Sequence, residues 1–152
     1  MEPTQNPATG DDLVTIARTL RDAALYLRRY GWIQGAYYDQ TATVFTPAAC
    51  VVGAIGMVCY GGPVDAPAQH FDEPGFDEFE MAVAYLDLEV DRRYQDVYAW
   101  NDDRTRNADD VIGTLLEIAA RYEVESTFQW LAPGSPFLTW LTAVPVPARG
   151  AE

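Results

Sequence analysis

The sequence predicts a mainly α protein: a compact bundle of about four helices with an irregular or short-strand C-terminal segment packed on it. Three observations lead there. Apolar residues recur at helical spacing in several windows. Those windows begin at capping residues and end at glycines or prolines. One short run, near Ala48 to Tyr60, is apolar all round, as a helix at the centre of a domain must be. The chain has 152 residues, 49% hydrophobic and 22% charged, which suits one folded domain with its own core. We divide it into a flexible tail over 1–10, a single helical domain over 11–144 and a second flexible tail over 145–152.

Residues 1–10 are polar and carry two prolines. Asp11 or Asp12 is expected to cap the first helix and to favour its dipole. Leu13, Ile16, Ala17, Leu20, Ala24 and Leu27 then follow an i, i+3, i+4, i+7 pattern. Gly31 stands where a C-terminal stop belongs, with Arg28 and Arg29 in the last turn. Arg18, Arg21, Arg28 and Arg29 share a stripe beside the apolar one. It reads as a solvated face, or as a dock for an acidic segment such as residues 72–91.

Trp32 to Phe45 is rich in glycine, tyrosine and threonine, and reads as a loop or irregular hairpin. Thr46 and Pro47 are expected to open the second helix as N-cap and first residue. It ends at Gly61-Gly62-Pro63. Gly53 and Gly56 lie inside it. Each costs about 1 kcal/mol of helix propensity against alanine. The expected compensation is close approach of a neighbouring segment.

Residues 63–75 read as an exposed loop with three prolines. A third helix is expected from about Asp77 to Arg93, with Phe79, Val83, Leu86 and Val90 inside and a strongly acidic outer face. Asn107 or Thr105 is placed to cap a fourth helix whose buried face is Val111, Ile112, Leu115, Ile118, Ala119 and Tyr122. After Ser126 the periodicity fades among Pro133, Gly134 and Pro136, so short extended pieces are expected there. The first and fourth helices begin alike, Asp-Asp-Leu-Val against Asp-Asp-Val-Ile, which is too little for a repeat.

Charge narrows the function classes. Twenty-three acidic residues face ten basic ones, all arginine, for a formal net charge of −13. Such a surface repels phosphate backbones and anionic lipid, which argues against direct nucleic-acid or membrane binding. It suits either plain solubility or a basic protein partner. Cys50 and Cys59 are nine apart in one expected helix and cannot bridge each other. Reduced thiols, no signal-peptide pattern and no apolar run of membrane length lead us to expect a cytoplasmic location.

Several spaced motifs now align: Gly31-Trp32 closing the first helix, Cys50-Val51-Val52-Gly53-Ala54-Ile55 opening the second, and Trp100-Asn101-Asp102 with Arg104-Thr105 before Asp110-Val111-Ile112. Over roughly Leu13 to Tyr122 the chain resembles an uncharacterised small-protein family of actinobacteria and their phages. The resemblance implies a bacterial or phage cytoplasmic setting. It brings no catalytic residues.

Candidate chemistry centres on Cys50. A thiol in a helix's first turn feels the positive dipole end, which favours thiolate. Its partner would be His70, the only histidine, oriented by Asp72 or Glu73. Cys50 in an apolar run equally suits a small buried hydrophobe. His70, Asp72, Glu73, Asp77 and Glu80 offer metal-ligand atom types without any calcium-loop or zinc spacing, so no metal and no cofactor is expected. Trp32, Trp100, Asn101 and Asp102 are the candidate binding residues: a polar group beside an aromatic wall, or a turn and cap beside the core. The expected function is a protein-interaction module or regulator, self-associating or phage-derived and acting on a host protein. Its alternatives are a cysteine-dependent enzyme using Cys50 and His70, and a nucleic-acid mimic that occupies a basic site. The enzymatic reading is the less favoured one.

Overall fold

The computed structural model describes residues 9–131 and 133–134. The expected tail over 145–152, most of the one over 1–10, and the expected extended pieces beyond Gly134 lie outside the described residues. Among the described residues there are five α-helices: α1 (Gly10–Tyr30), α2 (Val51–Tyr60), α3 (Phe76–Glu89), α4 (Val97–Asn101) and α5 (Ala108–Leu131), with a 3-10 turn at Pro67–Gln69. No helix is long and apolar enough to cross a membrane among the described residues.

Helix α1 is capped two to three residues earlier than expected. Thr9, not Asp11 or Asp12, is the N-cap: its hydroxyl accepts from the Asp12 amide at 3.2 Å. The Asp12 carboxylate accepts the Thr9 amide in return at 2.8 Å. Two orphan donors are thus satisfied reciprocally. Helix α5 repeats the device with Asn107 and Asp110, whose amides and side chains exchange bonds of 3.1 and 2.9 Å. The likeness between the two helix starts is therefore a shared cap.

Gly31 closes α1 with φ +103°, its amide bonded to the Leu27 carbonyl at 2.9 Å. A side chain is strained at that φ. Helices α1 and α5 form the largest interface of the fold. They run antiparallel: Arg21 pairs with Glu123 midway, while Trp32, just past α1, meets Asn101, just before α5. Arg21 therefore docks on α5 and not on residues 72–91.

Helix α2 packs against α1, α3 and α4, and its first seven residues are buried. It begins later than expected. Cys50 is the N-cap, and Pro47 to Ala49 precede the helix instead of opening it. The reason is where the backbone bonds go. The Ala49 amide bonds to the Gly31 carbonyl at 3.1 Å, the Ala49 carbonyl accepts from Ile33 at 3.0 Å, and the Cys50 amide goes to Tyr37 at 3.0 Å. Ala49 is an extended bridge between the two ends of the 32–38 loop.

Helix α3 ends at Glu89, not Arg93. Val90 turns extended, and Asp87 reaches forward to accept the Val97 amide at 2.7 Å. That bond fixes the start of the separate short helix α4. Helix α5 runs unbroken through Ser126 to Leu131, where extended pieces were expected. Ser126 and Thr127 donate their hydroxyls to the Glu123 carbonyl, at 2.8 and 3.0 Å, so these poor helix formers bond within the helix.

Candidate functional site

The glycines of α2 explain how the 32–38 loop reaches the core. A Cβ on Gly53 would lie 2.1 Å from the Tyr37 carbonyl oxygen. One on Gly56 would lie 3.0 Å from the Tyr38 hydroxyl. The close neighbour is a loop backbone and a tyrosine, not another helix. Glycine here brings the loop against the first turn of α2, where it meets the end of α4.

Asn101 joins these three pieces. It is 1% exposed. Its Oδ1 accepts from Trp32 Nε1 at 2.8 Å and from the Val51 amide at 3.0 Å. Its Nδ2 donates to the Ile33 carbonyl at 3.3 Å and to Asp102 Oδ1 at 2.8 Å. All four polar valences of the side chain are used. Gln34 Nε2 adds bonds to the carbonyls of Asn101 and Asp103, at 2.9 and 2.7 Å. The Gly35 amide donates to Asp102 Oδ1 at 3.0 Å.

Of the four expected binding residues, Trp32, Asn101 and Asp102 thus form one hydrogen-bonded group. Trp100 stands apart from it. Trp100 is buried, with the Arg106 guanidinium 4.3 Å above its ring and Arg106 Nε donating to its carbonyl at 2.7 Å. Gln34 and Gly35 were missed. Their only sequence signal is adjacency to Trp32.

Cys50 and His70 are not brought together. Cys50 caps the start of α2, while His70 packs on Tyr60 at its end, ring centroids 6.1 Å apart. The intervening helix spans about 15 Å at 1.5 Å per residue. His70 bonds to the Asp65 carbonyl at 2.6 Å. Cys50 is 5% exposed, and its sulfur accepts the Gly53 amide at 3.3 Å. Burial raises its pKa, outweighing the backbone donors of Gly53 and Val52 that favour thiolate. The expected dipole activation is overcome by desolvation. Burial also pushes the Cys59 thiol up to about 12. No group of three or more histidine, cysteine or acidic side chains is placed to hold a metal among the described residues.

Two of the concavities around this region bear on binding. The first, of about 340 Å³, lies over Cys50 and Asn101, walled by Tyr37 and Tyr98, with Asp102 and Gln40 also lining it. The tyrosine rings meet edge-on at 6.0 Å, their hydroxyls 3.3 Å apart. The second, of about 310 Å³, runs along α3 between Phe71, Phe76, Val83 and Val97. Glu80, Asp87 and Asp96 line it as well. Phe71 is 70% exposed there, its ring edge-to-face with that of Phe76 at a centroid distance of 5.2 Å. Nothing in the sequence pattern marked Phe71 beyond its place as an aromatic inside a polar, Pro-rich loop.

The fold and this joint define a small α-helical domain. The chain belongs to the family of unknown function DUF6197, which it matches over residues 11–121. No curated protein and no solved structure matches it.

Proposed function

We propose that the protein is a binding module whose α3 groove holds an apolar segment of a partner protein flanked by basic residues. The observation that carries this is Phe71, largely exposed on the rim of an apolar groove whose charged lining is wholly acidic. An exposed aromatic beside a concave apolar surface is the usual form of an interface anchor and its pocket. The partner's charge follows from the surroundings. Between residues 65 and 91 there are nine carboxylates and no arginine. Asp87 and Asp96 accept from the backbone amides of Val97 and Ala99, at 2.7 and 2.8 Å, which fixes both side chains in place at the groove. A basic segment would be drawn in by this field and an acidic one repelled. Both cysteines are free, which supports a reducing compartment.

The test is fluorescence anisotropy with a short peptide carrying leucine and tryptophan anchors between arginines. It should bind the wild-type chain. Phe71→Ser should lower its affinity at least tenfold while changing stability by less than about 0.5 kcal/mol, as expected of an exposed site. Equal binding to wild type and variant refutes the groove. Equal binding of an arginine peptide without apolar anchors would instead favour the nucleic-acid mimic, with affinity falling steeply in salt.

A further inference from the structure

We propose that the cleft over Asn101 binds a small planar organic cation, with Asp102 as its counter-ion and the Tyr37 and Tyr98 rings as its wall. The site is separate from the α3 groove in everything but Tyr98, which lines both.

Three observations carry it. The first is size. At about 340 Å³ the cleft falls at the low end of the range that encloses small ligands. The second is the placing of its charge. Asp102 is the only acidic residue lining the cleft among the described residues. Its Oδ1 is locked by Asn101 Nδ2 at 2.8 Å and by the Gly35 amide at 3.0 Å. Oδ2 accepts no bond among the described residues and is left for a ligand. The carboxylate is therefore oriented before anything arrives, which lowers the ordering cost of binding. The third is the wall. Tyrosine faces attract cations, and flat ligands cover them best. Burial raises the pKa of Tyr98, so its hydroxyl is a neutral donor or acceptor. No arginine lines the cleft among the described residues, so an anion finds no side-chain counter-ion among them. The net charge of −13 concentrates cations around the whole chain.

Asn101 also gives the site a reporter. The same side chain that holds Asp102 accepts the Trp32 indole N–H. A ligand that pulls on Asp102 is felt at that proton.

The experiment is a titration of the full chain followed by heteronuclear NMR. The probes are benzamidine, 2-aminobenzimidazole and phenylguanidine. Benzamide, the neutral isostere of benzamidine, is the control. At least one flat cation should give saturable shifts at the Gly35 amide and the Trp32 indole N–H. Benzamide should bind at least tenfold more weakly. Asp102→Asn keeps an oxygen for its two internal donors but removes the charge, and should weaken the cation at least tenfold. Gln40→Arg, an exposed change at the lining, should do the same without touching the joint. Equal binding of benzamidine and benzamide overturns the proposal. So do unchanged affinity in either variant, shifts confined to the α3 groove, or no shifts with any of the three cations. Because Phe71 plays no part here, failure of this site leaves the peptide reading standing, and the reverse.

Discussion

The two flanks of the molecule are held together by different physics. At the Asn101 end, α2, α4 and the 32–38 loop are joined by a dense set of hydrogen bonds between residues far apart in sequence. At the α3 side, Phe76, Phe79 and Leu86 are buried in the core, and the polar ties to neighbouring elements are sparse: Asp87 to the Val97 amide, and Glu89 to Tyr122 and Arg121. One end spends its singular polar residues on internal order. The other leaves most of its carboxylates exposed. A distinctive motif such as Trp100-Asn101-Asp102 can thus serve the scaffold almost entirely, with only Asp102 still facing out, while a plain acidic helix presents the more open docking surface.

That contrast is most sharply tested at Asn101. Asn101→Ala strips the buried partners of Trp32 Nε1, the Val51 amide and the Ile33 carbonyl at once. Each unsatisfied buried group costs about 1–3 kcal/mol, so a loss of about 4 kcal/mol is expected in urea denaturation. A loss below about 1 kcal/mol would show that the joint is decoration on a fold held elsewhere. Gly53→Ala should come next, at about 2–3 kcal/mol, the range for overpacking a close contact. Its Cβ would fall 2.1 Å from a backbone oxygen that already accepts the Cys50 amide. Gly113, exposed on α5, supplies the control, since a Cβ there meets nothing within 4 Å. Gly113→Ala should be neutral or stabilising, as helix propensity alone predicts.

Legibility in the sequence followed the range of the forces involved. Helix α1 was readable because its apolar period, its arginines and its Gly31 stop are all local. The need for a close neighbour at Gly53 and Gly56 was readable too, because glycine inside an apolar helix has to be offset by packing. The identity of that neighbour was not, since it arrives from a loop with no period of its own. The start of α2 was misplaced for the same reason. Thr46-Pro47 is a sound local cap signal, but the amides and carbonyls around Ala49 are claimed by Gly31, Ile33 and Tyr37. Long-range backbone pairing overrode the local preference. Trp32, Trp100, Asn101 and Asp102 are legible as one candidate group, but which of them bond to one another is shown only by the fold, which joins Trp32 to Asn101 and Asn101 to Asp102 and leaves Trp100 out. The Cys50 and His70 pairing failed on distance along α2, which sequence spacing across a loop cannot report.

The smallest expected effect concerns pH, and it separates the two flanks by the kind of bond they use. Asp103 lies beside the joint and accepts from Thr105 Oγ1 at 2.6 Å, from Tyr94 Oη at 2.6 Å and from the Thr105 amide at 2.8 Å. The Thr105 hydroxyl first, then Tyr94 and the Thr105 amide, hold its carboxyl down to about 2, from an ordinary 3.8. A carboxylate whose folded pKa is depressed adds stability above its unfolded pKa and loses it as pH falls toward the folded value. Asp103→Asn should therefore lower the melting temperature slightly at pH 6. The gap to wild type should shrink between about pH 4 and pH 2, where the wild-type carboxyl takes up its proton. A gap that stays constant down to pH 2 would mean that Asp103 acts through shape and not through charge. The polar end of the molecule would then be tied by hydrogen-bond geometry alone.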